Sequence, residues 1–267
     1  MKHSALLFGF LGLLGVTEGS AAPGVTKVEL KPETEIAFGQ YIQATERRLD
    51  QELAEGHFLW VDGAPERLRR VRGGEILVES RAGKGGAPLG DGVVHDWIAA
   101  VFIPGTTLQK ALALVQDYDN HKNIYKPDVS DSKLLGKKGN DYQVFLRLVK
   151  KKVLTVVLNT YHNVHYVPLD ARRWYSRSYS TRIAEVDDGQ ELPPGEDHGF
   201  LWRLDSYWRF EERDGGVYLE CEAISLTRSV PVGLGWLINP ILQSLPRDSL
   251  VNTLRETREA LYEKLYK

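Results

Sequence analysis

Hydrophobic and polar positions alternate with a period of two along most of the chain from Val94 to Ser229, and with a helical period on either side of it. On the N-terminal side, Ile36, Phe38, Ile42, Thr45, Leu49 and Leu53 recur at helical spacing. Glu46, Arg47, Arg48, Asp50 and Glu52 fill the other face, which predicts an amphipathic helix over Glu33 to His57. Phe58 to Val61 and Arg67 to Ser80 have strand character, the second broken by Gly73 and Gly74, with Arg67, Arg69, Arg70 and Arg72 as a solvated strand face. Arg81 to Gly92 has the composition of a loop. Its glycines lack the order and the strand–loop–helix setting of a phosphate cradle.

Val94 to Ile103 reads as a strand ending at Pro104-Gly105. Thr106 or Thr107 suits the cap of a helix through Leu108, Leu112, Val115 and Tyr118, which stops before Pro127. Six strands then follow in meander order: Val129 to Leu135, Tyr142 to Val149, Val153 to Val167, Trp174 to Val186, Gly199 to Glu212 and Val217 to Ser229. Their connectors are turn-rich (Gly139-Asn140, Asp188-Gly189, Asp214-Gly215), and short hairpin connectors imply antiparallel pairing.

Strand parity indicates what the sheet holds. Phe200, Trp202, Leu204, Trp208 and Phe210 share one side of their strand, and Arg203, Asp205, Arg209 and Glu211 the other. Leu154, Val156, Leu158, Thr160, His162 and Val164 share a side of theirs, as do Val217, Leu219, Cys221 and Ala223. For Trp174 to Val186, parity leaves the inward side open. The C-terminal run supplies a lid: Leu234, Trp236, Leu237, Ile238, Ile241, Leu242 and Leu245 are apolar nearly all round, and after Pro246 a stripe of Leu250, Leu254, Leu261 and Leu265 continues. This predicts two consecutive helices joined at Pro246 and an α+β fold, an antiparallel sheet with helices on one face.

Composition narrows the function. The 267 residues carry 34 basic and 36 acidic side chains, without the basic excess of a general nucleic-acid binder. The single cysteine, Cys221, has no intrachain partner and reads as a buried thiol. Residues 1–22 have a short basic start, an apolar core of about a dozen residues and a small-residue exit. That predicts a cleaved export signal, too short to span a bilayer comfortably, and the expected location is periplasmic or secreted. An uncleaved anchor is the alternative, since Pro23 is a poor residue after a cut.

The segment IPGTTLQKALALVQDYDNHKNIYKPDVSDSKLL at Ile103 to Leu135 resembles the opening strand, short helix pair and return strand of the START-like superfamily, the helix-grip fold of START, Bet v 1 and polyketide-cyclase-type (SRPBCC) proteins. SLTRSVP followed by PRDSLVNTLRETREAL is similar to its closing strand and long helix. The resemblance covers roughly Val93 to Lys267, and leaves 23–92 as an added N-terminal extension. It implies a curved antiparallel sheet wrapped around the long C-terminal helix, with a deep cavity for lipids, sterols, quinones or aromatic small molecules. It carries no catalytic signature.

Leu158, Thr160, His162, Trp202, Leu204, Ser206, Trp208, Ala223, Trp236 and Ile241 are the candidate lining, with Arg177 and Tyr179 as further polar candidates. Metal and cofactor are not expected. His162 and His165, three apart on a strand, face opposite sides; Asp117, Asp119 and Asp128 fit calcium-loop positions, but His121 and Lys122 occupy places where a ligand and glycine belong. No nucleophile motif supports a hydrolase. The expected function is an exported protein that binds or carries a hydrophobic small molecule or lipid, with transient membrane contact and no nucleic-acid partner. Two alternatives stand beside it: a cyclase- or aromatase-like enzyme with His162 as proton shuttle, and an envelope protein with a filled core whose N-terminal helix docks on a partner.

Overall fold

The computed structural model describes residues 26–83, 85–151, 155–229 and 245–265. Helix α1 (Pro32–Ala54) begins with a proline, whose missing N–H costs nothing there. Glu33 and Glu35 occupy the first turn, at the positive end of the helix dipole. Its buried stripe is Thr34, Phe38, Ile42, Thr45 and Leu49.

The next stretch departs from the strand expectation. A 3-10 turn over Trp60–Gly63 leads into helix α2 (Pro65–Arg72), and strand β1 is confined to Leu77–Ser80. Pro65 opens α2, Glu66 lies in its first turn, and Arg69, Arg70 and Arg72 lie in its last, where cations complement the dipole. The arginines that alternate like a strand face are therefore the end of a short helix, anchored through the buried Val71.

From there the long strands follow the predicted order, with three departures. A short strand (Ala87–Leu89) lies inside the stretch read as a loop, another (Gln190–Glu191) lies in a connector, and the helix expected to run through Tyr118 ends at Val115. Strands β2 (Ala87–Leu89) and β3 (Gly92–Pro104) precede α3 (Leu108–Val115), whose cap Thr107 accepts a hydrogen bond from the Lys110 N–H at 3.4 Å. After a 3-10 turn at Tyr118–Asn120 and the single turn α4 (His121–Ile124) come β4 (Val129–Lys138), β5 (Asp141–Lys151), β6 (Thr155–Pro168), β7 (Arg173–Asp187), β8 (Gln190–Glu191), β9 (Arg203–Arg213) and β10 (Gly216–Arg228). Helix α5 (Leu245–Leu265) closes the described chain. Pro246 falls in its first turn; the predicted preceding helix, with Trp236 and Ile241, lies outside the described residues.

The strands form one antiparallel sheet in the order β1-β3-β10-β9-β7-β6-β5-β4, with β2 beside β3 and β8 beside β7. Asp188-Gly189 and Asp214-Gly215 have positive φ at both residues, as a two-residue hairpin turn requires. The pairing of β3 with β10, a full register from Gly92↔Arg228 to Pro104↔Gly216, brings the first long strand against the last.

The inner face of the sheet packs on α3 and α5: Val101, Ile103, Phe210, Val217 and Leu219 meet Leu108, Leu114, Leu250, Leu254 and Leu261 in one core. On the outer face, α1 lays Phe38, Ile42 and Leu49 against Val94, Tyr207, Ile224 and Leu226. Phe58, Leu59 and Val71 cover Ala100, Phe102 and Tyr218. With both faces covered, β3 and β10 are buried along nearly their whole length.

That outer layer also buries charge. Glu220, 1% exposed, accepts hydrogen bonds from the backbone N–H groups of Trp60 (2.8 Å) and Val61 (2.9 Å). Arg209 donates to the Phe58 carbonyl (2.7 Å) and to Glu52 (3.1 Å), and Arg48 pairs with the buried Glu222. The extension both covers these groups and supplies their partners, and a charge buried without a partner costs several kcal/mol.

Candidate functional site

Between the inner face of the sheet and α5 lies a cavity of about 490 Å³. Strand alternation builds its walls. Leu204, Ser206 and Trp208 of β9, Cys221, Ala223, Ser225 and Thr227 of β10, and Val156, Leu158, His162, Val164 and Tyr166 of β6 all point into it. β5 adds Val144, Leu146 and Leu148; α5 closes the space with Pro246, Ser249, Leu250 and Thr253, spaced along one helical face.

The side of β7 that the sequence left open is settled here. Ser176 and Ser178 face the cavity, while Arg177 and Tyr179 face α1, where Arg177 pairs with Asp50 and Tyr179 donates to Glu46. Neither is a cavity residue.

Of the other sequence candidates, Leu158, His162, Leu204, Ser206, Trp208 and Ala223 are brought together in the cavity wall. Thr160 is fully buried but does not line the space; its hydroxyl donates to the Leu146 carbonyl at 3.1 Å. Trp202 lies elsewhere: β9 starts one residue later, so the strand alternation does not extend back to it. Its indole packs with the α1 layer and donates to Asp197 at 3.2 Å. Trp236 and Ile241 lie outside the described residues.

The lining includes polar groups that the candidate set missed. Tyr118 and Tyr166 share a hydrogen bond at 2.8 Å, and Tyr125 shares one with Thr257 at 3.1 Å. Burial raises the pKa of all three phenols, so they stay neutral. Tyr166 and Ser225 continue the parity of His162 and Ala223, a signal present in the sequence. Tyr118 continues the helical spacing of α3 but lies in the turn after it, and Tyr125 follows α4, where no such pattern exists.

Among the described residues, two polar atoms of the wall have no hydrogen-bond partner: His162 Nε2 and Ser225 Oγ. Burial lowers the His162 pKa to about 4, so its imidazole is neutral at ordinary pH. His165 faces the other way, bonded to Asp141 at 2.5 Å. Among the described residues, no group of three His, Cys, Asp or Glu is placed to hold a metal ion, and no helix is long and apolar enough to cross a membrane.

A sheet whose first long strand meets its last, a short helix pair after that first strand, and a closing helix over an apolar cavity together define the architecture. It is a START-like helix-grip fold. No family model and no curated protein matches the sequence. Solved structures similar to it include a STAR-related lipid transfer protein from Xanthomonas axonopodis, 15% identical with a TM-score of 0.46, the match covering 70% of this chain and 98% of that one. The Zhui aromatase/cyclase from Streptomyces sp. R1128 is 10% identical with a TM-score of 0.47, covering 64% and 96%. Human STARD10 is 11% identical with a TM-score of 0.44, covering 75% and 80%. Likeness at this level concerns architecture alone.

Proposed function

We propose that the protein binds and carries a hydrophobic small molecule, such as a lipid, quinone or isoprenoid, between the sheet and α5, and that it does so as an exported protein. The cavity itself carries this reading. Its 490 Å³ lies within the ~300–1,000 Å³ usual for ligand sites. Its lining is mainly apolar, from β5, β6, β9 and β10, with a few polar groups among these side chains, the composition of a site that holds a hydrophobic ligand by burial. The export signal expected at residues 1–22 supports the location.

The chemistry of the wall favours binding over catalysis. A proton shuttle works best with a pKa near the operating pH, whereas burial holds His162 near 4. Its bare Nε2 suits a hydrogen bond with one polar group of a ligand. Docking of α1 on a partner protein is also disfavoured, because its apolar stripe is already buried on this chain's own sheet.

The test is native mass spectrometry of the mature protein purified from its own host, followed by solvent extraction. A reproducible adduct that extracts as a lipid or isoprenoid is the expected result. A clean unliganded mass, unchanged after incubation with lipid and quinone mixtures, would overturn the proposal.

A further inference from the structure

Beside the apolar cavity, and sharing part of its lining, lies a second, polar space of about 320 Å³. Asp128, Lys150, Ser249, Asn252 and Arg255 border both. The remaining lining of the second space includes Lys151, Arg247 and Asp248, so four basic side chains face it against two acidic ones. We propose that the ligand is an amphiphile with an anionic headgroup, its apolar chain in the larger cavity and its carboxylate or phosphate among Lys150, Lys151, Arg247 and Arg255. This rests on the reading of the larger cavity as a ligand site.

Lys150 is the hinge between the two spaces. Its side chain is 12% exposed, it borders the apolar cavity, and its Nζ lies 2.8 Å from Asp128 Oδ2. Burial lowers its pKa, partly offset by Asp128, so this cation is poorly hydrated and gains from a further anion. Arg255, one helical turn after Asn252 and Val251 on α5, donates to Asn252 Oδ1 at 2.8 Å through one of its five N–H groups. A neutral or cationic headgroup would have no use for this excess of donors, whereas a carboxylate or phosphate accepts from several at once.

The experiment is displacement of the neutral dye Nile red from the full chain by dodecanoate, dodecanol and dodecyltrimethylammonium, with inorganic phosphate titrated separately by calorimetry. Dodecanoate is expected to displace the dye at about tenfold lower concentration than dodecanol, the size of one charge-assisted hydrogen bond. Lys150→Gln and Arg255→Gln should each shrink that preference, read as the ratio of dodecanoate to dodecanol displacement within the same variant. Asp128→Asn, which removes the competing carboxylate, should enlarge it, a gain that misfolding cannot imitate. Equal displacement by dodecanoate and dodecanol, or preference for the ammonium, overturns the anionic headgroup while leaving the cavity reading intact. Binding of inorganic phosphate as tightly as dodecanoate also overturns it, in favour of a small-anion site. If neither the dye nor any amphiphile binds, the cavity reading itself fails.

Discussion

The Tyr41 hydroxyl donates to Asp96 Oδ2 at 2.8 Å, joining α1 to β3 beneath the outer layer. Asp96 is 2% exposed and its Oδ1 has no hydrogen-bond partner among the described residues; burial first, and the neighbouring Glu222 second, raise its pKa. Glu220 and Asp205, on the same face of the sheet, are raised to about 7 and about 6, mainly by burial. Ordinary carboxylates titrate near ~4, so between about pH 4 and 7 the folded chain holds protons that the unfolded chain has released. The contribution of these groups to stability is therefore present at low pH and is lost as pH rises through that window. Asp96→Asn should raise stability at pH 8 by ~1–3 kcal/mol and change little at pH 5, while Tyr41→Phe should lower it by ~1–2 kcal/mol. Urea denaturation at the two pH values checks both; an equal effect of Asp96→Asn at pH 5 and 8 would contradict the assignment.

His162 has the opposite sign. With its pKa lowered to about 4, the folded chain keeps it neutral across the interval up to ~6.5 in which the unfolded chain takes up a proton. Its contribution is lost as pH falls through that interval. His95 and His121 are lowered to about 4 in the same way, so three histidines oppose acid conditions together. His162→Leu keeps the volume similar and removes the unpartnered Nε2. It should stabilise the protein by ~1 kcal/mol at pH 8 and by more at pH 5. Thermal melts at both pH values, with dye binding retained, are the check.

Ala223 lies on β10 with its methyl group facing the cavity, opposite Trp97 of β3 in register. An indole at this position would occupy the space that a ligand needs. Ala223→Trp should abolish Nile red binding, a loss of at least ~100-fold, while the melting temperature of the protein without dye holds or rises because the void is filled. Unchanged dye affinity would place the site elsewhere.

The inner face was legible in the sequence because alternation is a local signal. Leu204, Ser206, Trp208, Ala223 and His162 fall on the cavity side by parity alone, and the Asp-Gly pairs mark their hairpins. The outer face was not. Asp96, Arg209, Glu220 and Glu222 have the spacing of solvated strand residues, and what buries them lies about 50 to 175 residues away in α1 and the turn after it. Trp202 misleads for a smaller reason: it precedes its strand by one residue, where parity no longer applies. Pro65 and the arginines after it are ambiguous between periods until the dipole of a short helix is considered.

The same outer layer decides how the extension behaves when removed. A chain beginning at Gly92 would expose Val94, Phe102, Tyr218, Ile224 and Leu226, all buried under residues that precede it. At ~1.5–3 kcal/mol per large apolar side chain, that loss totals roughly 7–15 kcal/mol. Returning Glu220 to water would recover only about 3 kcal/mol of its burial penalty. The apolar loss outweighs the relief and approaches the whole stability of a domain. The truncated chain should accumulate in the insoluble fraction or elute from size-exclusion chromatography as large aggregates, whereas the full chain should elute as a defined species. A soluble, cooperatively melting truncation would show that the extension is an accessory cover and that the sheet holds its outer face without it.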